Sequence, residues 1–337
     1  MKVRVVGHEG QCVFPREESG AWNDFFLQLE ENGIHIESSN YGAKIDLLIA
    51  NTHSVQAIEE ANKSNLPLER RVLILWEPPV VDDERHSKAV IDQYGVVFSP
   101  TPNWAKNAKR RIIFPWPQSV PNLINESFVN WCNRQDRMLF IQGNKYSAHR
   151  DELYSFRRNL MRSISANQNL PNPILFGTNW NLGIIFDFRK WFASFIRISK
   201  WNFSKSSING LGFKYPYYEG SILNKFEISR KFKYSIVVEN SADYVSEKLF
   251  DMVFSGCLTF YLGPDLQDFG FNFPEILSLN NNIDESIIKI MEVISMSNKE
   301  KFKILQLQMS EAFNVAPYVQ NSYVLRNIAN NILQIVS

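Results

Sequence analysis

The chain has 337 residues, more than a single hydrophobic core comfortably organises, so two domains of roughly 150 residues each are expected. With 45% hydrophobic and 21% charged residues, it reads as globular rather than disordered. Its 36 Lys and Arg against 35 Asp and Glu exclude a global field for nucleic acid or an anionic surface, so any basic site must be local.

MKVRVVG (1–7) opens directly on a strand-like run and lacks the charged head, apolar stretch and cleavage pattern of a signal peptide. No window reaches the roughly 18 uninterrupted apolar residues of a spanning helix. Cys12, Cys132 and Cys257 form no CxxC pair, which argues against a disulfide framework and a zinc site and fits a reducing compartment. A cytoplasmic protein is expected, with any membrane contact peripheral.

The first half alternates short apolar runs with helical patterns. Residues 2–7 read as a strand, 21–33 as an amphipathic helix stopped by Gly33, and 45–51 as a buried strand. Residues 54–65 then read as a helix and 70–79 as a buried strand ended by two prolines. This rhythm predicts an α/β domain with a parallel sheet over 1–120. From 94 to 121 the pattern breaks into YGVVFSP, RRIIFPWP and SVPN, and 115–136 reads as a passage between domains.

The rhythm restarts with a strand at 137–143, a helix at 149–165 and a strand at 173–177. It continues with a strand at 233–240, a helix at 245–256 stopped by Gly256, and a strand at 258–263. A second doubly wound domain over 135–320 follows, with ligands expected at the carboxyl ends of its strands. The tail, 321–337, carries an amphipathic helix at 324–336 whose docking site the sequence does not reveal. Residues 184–205, IIFDFRKWFASFIRISKWNFSK, combine aromatics with Arg189, Lys190, Arg197, Lys200 and Lys205. A packed insert, a membrane-interface helix and an acceptor-binding surface all fit that composition.

Several signatures are missing. There is no GxGxxG, GxxxxGK[ST], HExxH or GxSxG, and the five histidines stand at no ligand spacing. Asp82 and Asp83 lie in a polar stretch that reads as a solvated loop. No metal site is expected.

The richest chemistry sits in YSIVVENSADYVSEKLF. Its strand delivers Glu239, Asn240 and Ser241 to a carboxyl end, and a helix beginning near Tyr244 presents Glu247 and Lys248 in its first turn. An anion there would meet backbone N–H groups, the positive end of the helix dipole and an ammonium, the outline of a pyrophosphate site. Glu247 beside that lysine suits a sugar hydroxyl, because charged acceptors make the stronger hydrogen bonds. A plain helix cap with a solvated Glu–Lys face fits the same residues.

VVENSADYVSEKLFDMVFSGCLTFYLGP resembles the signature of the family 10 glycosyltransferases, the α1,3/4-fucosyltransferases, from Tyr234 to Pro264. Ser246 stands where the family has threonine, and Leu258-Thr259 where it has valine-proline. FIQGNKYSAHRDELYSFRRNL is similar to the segment opening that family's donor domain, and ILWEPP to the element carrying its proposed general base. The resemblance implies a GT-B fold, two Rossmann-like domains facing across a cleft, with 1–120 on the acceptor side and 135–320 binding GDP-fucose. It implies inverting transfer of fucose to a glycan hydroxyl with no metal or other cofactor. By matched position, Glu77 is the general base, Arg150 and Lys248 neutralise the diphosphate, Asn240 and Tyr244 contact the donor, and Glu247 binds the ribose or the sugar ring. A GT-B transferase using another nucleotide sugar, and a catalytically silent sugar-binding module, are the alternatives; a nucleic-acid binder is not expected.

Overall fold

A computed structural model of the chain describes residues 1–7, 10–12, 22–37, 39–120, 131–180, 215 and 217–336. The basic-aromatic segment 184–205 lies outside the described residues. The chain divides into two compact units, Met1–Gln118 with Pro317–Ser337, and Ser119–Ala316.

Among the described residues, the first unit has a six-stranded sheet in the order β2-β1-β3-β4-β5-β6. Its strands are β1 Lys2–Val6, β2 His35–Ile36, β3 Leu47–Ala50, β4 Arg71–Ile74, β5 Val96–Ser99 and β6 Arg110–Ile113. Every pairing is parallel, so each connection must cross over. Helices α1 Trp22–Glu30, α2 Val55–Lys63 and α3 Lys88–Ile91 lie in those crossovers. Helix α2 starts where its cap dictates: Ser54 has extended backbone, and its side chain accepts from the Ala57 N–H.

All four residues of β3 are buried, as expected of a parallel strand covered on both faces. A charged exception to an apolar interior is Arg4 on β1, with no exposed surface. Its Nε and Nη2 each lie 2.8 Å from a Glu60 carboxylate oxygen, and Nη1 donates to the Glu37 and Ser39 carbonyls at 3.1 and 2.6 Å. Glu60 Oε1 also accepts from the Gly42 and Ala43 N–H groups. A buried ion pair is tolerable when its remaining donors and acceptors are satisfied in this way.

The second unit has a five-stranded parallel sheet in the order β11-β10-β7-β8-β9 among the described residues. Its strands are β7 Gln135–Ile141, β8 Pro173–Phe176, β9 Tyr218–Gly220, β10 Phe232–Val238 and β11 Leu258–Leu262. All seven residues of β10 are buried. Its serine hydroxyl, Ser235 Oγ, pairs with Thr259 Oγ1 of β11 at 2.9 Å. Among the described residues, its helices are α4 Tyr154–Ala166, α5 Lys225–Ser229, α6 Glu247–Phe254, α7 Ile283–Ser295 and α8 Asn298–Val319.

Helix α4 starts five residues later than the periodicity predicts. The residues ahead of it are engaged elsewhere: the Leu153 N–H donates to the Asn240 carbonyl at 3.0 Å, and Glu152 forms an antiparallel bridge with Ser241. Glu152 then caps the helix by accepting from the Ser155 N–H at 2.9 Å. This is a long-range pairing overriding a local pattern.

The tail forms α9 Asn321–Val336, which belongs to the first unit. Val324, Leu325, Ile328, Ala329 and Ile332 enter the core formed by β1, β3, β4 and α1, and Arg326 pairs with Asp24 of α1 at 2.7 Å. Because Ile328 is 1% exposed there, Ile328→Ala should destabilise the first unit by about 2–5 kcal/mol. Urea denaturation followed by the fluorescence of Trp22, Trp76 and Trp116, whose rings meet edge to face in this unit, would measure the loss.

Candidate functional site

The corner between β10 and α6 is organised by a carboxylate with no exposed surface. The Glu239 N–H continues the ladder by donating to the Leu262 carbonyl at 2.8 Å, which fixes its backbone one residue beyond the strand. Glu239 Oε1 accepts the Ser246 N–H at 2.9 Å, and Oε2 accepts the Ser246 hydroxyl at 2.6 Å. Ser246 is the N-cap of α6, and its Oγ accepts from Lys248 N at 3.4 Å and from Lys248 Nζ at 2.8 Å. Lys248 Nζ also lies 3.8 Å from Glu239 Oε2. The Lys248 side chain, 16% exposed, is thus held at the helix start, where the helix dipole favours an anion.

Burial pushes the Glu239 carboxyl above its ordinary range, although Lys248 and the Ser246 donors act against it. Gly263 closes the same corner. A Cβ there would stand 2.2 Å from Tyr261 Oη and 2.8 Å from Glu239 Cγ, so the close approach admits no side chain without movement of a rigid phenol.

Glu247 is the first residue of α6, and its side chain is 40% exposed. Burial alone would raise its carboxyl, but the Lys248 and Lys225 ammonium groups together hold it below its ordinary value. An acceptor-only carboxylate results, suited to hydroxyl groups.

Asn240 and Tyr244 are buried, at 6% and 3% exposure. The Asn240 Oδ1 accepts from Arg157 Nη2 at 3.4 Å. Arg150 lies in the loop before α4 with its side chain 90% exposed, Nε 3.4 Å from Asp151 Oδ2. The Glu152–Ser241 bridge brings that loop alongside the β10–α6 corner. In the first unit, Glu77 follows β4 at its carboxyl end, half-buried, and its carbonyl lies 2.9 Å from His86 Nε2. The preceding Trp76 donates to Asn51 Oδ1 at 2.9 Å, and Asn51 Nδ2 donates to the Val6 carbonyl, tying the ends of β4, β3 and β1 together.

Two arginines on α4 escaped the sequence reading. Arg157, 1% exposed, donates from Nη1 to the Gly143 carbonyl at 2.7 Å and from Nη2 to the Val238 and Glu239 carbonyls at 2.5 and 3.2 Å. It staples the carboxyl ends of β7 and β10, while burial brings its guanidinium down to about 10. Arg158 donates to Asn144 Oδ1 and the Lys145 carbonyl, holding the loop after β7. The signal available was an adjacent Arg pair falling on the apolar stripe of an amphipathic helix. Lys225, which reaches Glu247 and Asp251 from α5, left no such trace.

The first unit also contains a cavity of about 360 Å3 at the carboxyl ends of its strands, lined by Gly10, Thr52, His53, Asp82, Glu84 and Arg85 among others. His53 Nδ1 lies 3.2 Å from Tyr94 Oη, and burial lowers the imidazole despite an opposing pull from Glu84. Among the described residues, no three His, Cys, Asp or Glu side chains gather as a metal-holding group. No described helix is long and apolar enough to cross a membrane.

Because the Glu239 carboxyl is raised in the folded state, folding is favoured by its protonated form. Stability therefore falls as pH rises from the unfolded value of about 4.3 toward the raised one. Glu239→Gln should flatten that dependence, which denaturation midpoints of variant and wild type compared as pH rises above about 4.3 would show.

No family model and no curated protein matches the sequence. Solved structures do. An α1,3-fucosyltransferase crystallised with GDP aligns with a TM-score of 0.57 at 14% identity, over 99% of this chain and 89% of that one. Anabaena HepE in complex with UDP and glucose aligns at 0.58 and 9% identity, over 99% of this chain and 100% of that one. A DNA-modifying β-glucosyltransferase aligns at 0.52 and 11% identity, over 100% and 99%. At such identities the likeness is one of fold, and the chain has the GT-B fold, built on two α/β units with parallel sheets.

Proposed function

We propose that this protein is an inverting glycosyltransferase that moves fucose from GDP-fucose to a glycan hydroxyl. The observation that carries the reading is the β10–α6 corner, where a buried carboxylate and an N-cap serine fix a lysine at a helix start. The motif from Tyr234 to Pro264, with its resemblance to the α1,3/4-fucosyltransferases, supports the family and the donor.

In the proposed reaction the acceptor oxygen forms a bond to the anomeric carbon as the bond to the diphosphate oxygen breaks. The acceptor proton passes to the Glu77 carboxylate, because a neutral hydroxyl is a poor nucleophile. The departing diphosphate gains negative charge, which Lys248 and Arg150 neutralise in the absence of any required metal. Asn240 and Tyr244 contribute donor contacts, and Glu247 takes hydroxyls of the ribose or the transferred sugar. The first unit is the acceptor side, its polar cavity around His53 suiting a saccharide.

Loss of Lys248 or Arg150 should each cost on the order of 3 kcal/mol of transition-state stabilisation. Glu77→Gln should abolish transfer and Lys248→Ala should slow it roughly a hundredfold, yet only Lys248→Ala should strongly weaken GDP binding. Calorimetry giving Lys248→Ala the wild-type GDP affinity would refute the lysine's role.

A second reading uses a UDP-sugar as donor. It is favoured by the fold likeness to HepE, crystallised with UDP and glucose, whose TM-score of 0.58 stands beside 0.57 for the fucosyltransferase. Turnover with GDP-fucose, GDP-mannose and UDP-sugars against a glycan array, with Glu77→Gln as the blank, separates the two. GDP-fucose should be the productive donor; binding without turnover by any donor would instead identify a silent module.

A further inference from the structure

Helix α6 carries Glu247 and Asp251 four residues apart, so the two carboxylates share one face, an unfavourable arrangement when nothing separates the charges. Lys225, the first residue of α5, fills the gap. Its Nζ lies 3.1 Å from Asp251 Oδ2 and 3.5 Å from Glu247 Oε1. The three groups differ in access: the Asp251 side chain is 10% exposed, and those of Glu247 and Lys225 are 40% and 39%.

The backbone under Lys225 is anchored at both ends of its short helix. Asn224 caps α5, accepting from the Glu227 N–H at 3.1 Å, and the fully buried Ser229 donates its hydroxyl to the Lys225 carbonyl at 2.7 Å. The Ser229 carbonyl in turn accepts from Cys257 Sγ at 3.3 Å. Lys225 therefore reaches α6 from a fixed base, with the sealed Asp251 as its nearer anchor.

We propose that Lys225 is a positioning residue for the donor site, holding Glu247 Oε1 toward α5 and leaving the second carboxylate oxygen to a hydroxyl of the nucleotide sugar. This rests on the proposed donor contact of Glu247. Asp251 matches the charge of the lysine, so Glu247 keeps its own negative charge while its rotamer is fixed. Lys225 acts only through Glu247, and a purely structural lysine would not show that dependence.

The test is a double-mutant cycle on donor binding, with GDP-fucose as probe, or the UDP-sugar that replaces it in the donor screen. Lys225→Met should weaken binding roughly tenfold in the wild-type background and hardly at all in a Glu247→Gln background. Lys225→Arg should restore most of the loss, and thermal unfolding should show each variant folded at the assay temperature. If Lys225→Met unfolds there, Lys225→Gln takes its place in the cycle. Wild-type affinity in Lys225→Met, or losses that simply add, would overturn the role of Lys225 alone. A wild-type protein that binds no nucleotide sugar would overturn the proposed function and this inference with it.

Discussion

Glu239 is the constraint around which the second unit's candidate site is arranged. A fully buried carboxylate is costly unless its oxygens are satisfied, and here the satisfying groups come from the N-cap of the next helix. One residue, Ser246, donates twice to Glu239 and accepts twice from Lys248. The strand end, the helix start and the cation are therefore not independent features. Moving any of them leaves a buried carboxylate without its donors or strands a capping hydroxyl.

The same corner is reinforced from behind by Arg157. Its almost fully buried guanidinium bonds to the Gly143 and Val238 carbonyls at the carboxyl ends of β7 and β10, satisfying acceptors at the strand ends. Donation to Asn240 Oδ1 extends this support into the motif itself. Glu247, Lys225 and Asp251 form a second charged set on the solvent-accessible side. The result is two carboxylates in one short motif with opposite tendencies: Glu239 raised by burial, Glu247 held low by two ammonium groups.

Much of the fold was legible because parallel strands covered on both faces are nearly continuous apolar runs. LLIA and SIVV need no partner to be recognised as such. Gly33 and Gly256, both at positive φ, marked helix ends for an equally local reason. The two-residue β2 and three-residue β9 were missed because strands that short carry no periodicity. The motif residues were legible as a group, from their order and their place after a strand. What each does locally was not: Asn240 and Tyr244 are buried, whereas Arg150 stands almost wholly exposed.

Sequence by itself thus determined the alternation of strands and helices, the doubling of that rhythm along the chain, and the place where polar chemistry concentrates. These are written in side-chain period and in residues adjacent along the chain. Tertiary structure alone decided the late start of α4, set by Glu152 and Leu153 meeting the end of β10, and the return of α9 to the first core. It also decided that Glu239 would serve as anchor and Glu247 as the accessible carboxylate. Burial and the choice of partner come from residues far apart in the chain, and no local pattern encodes them.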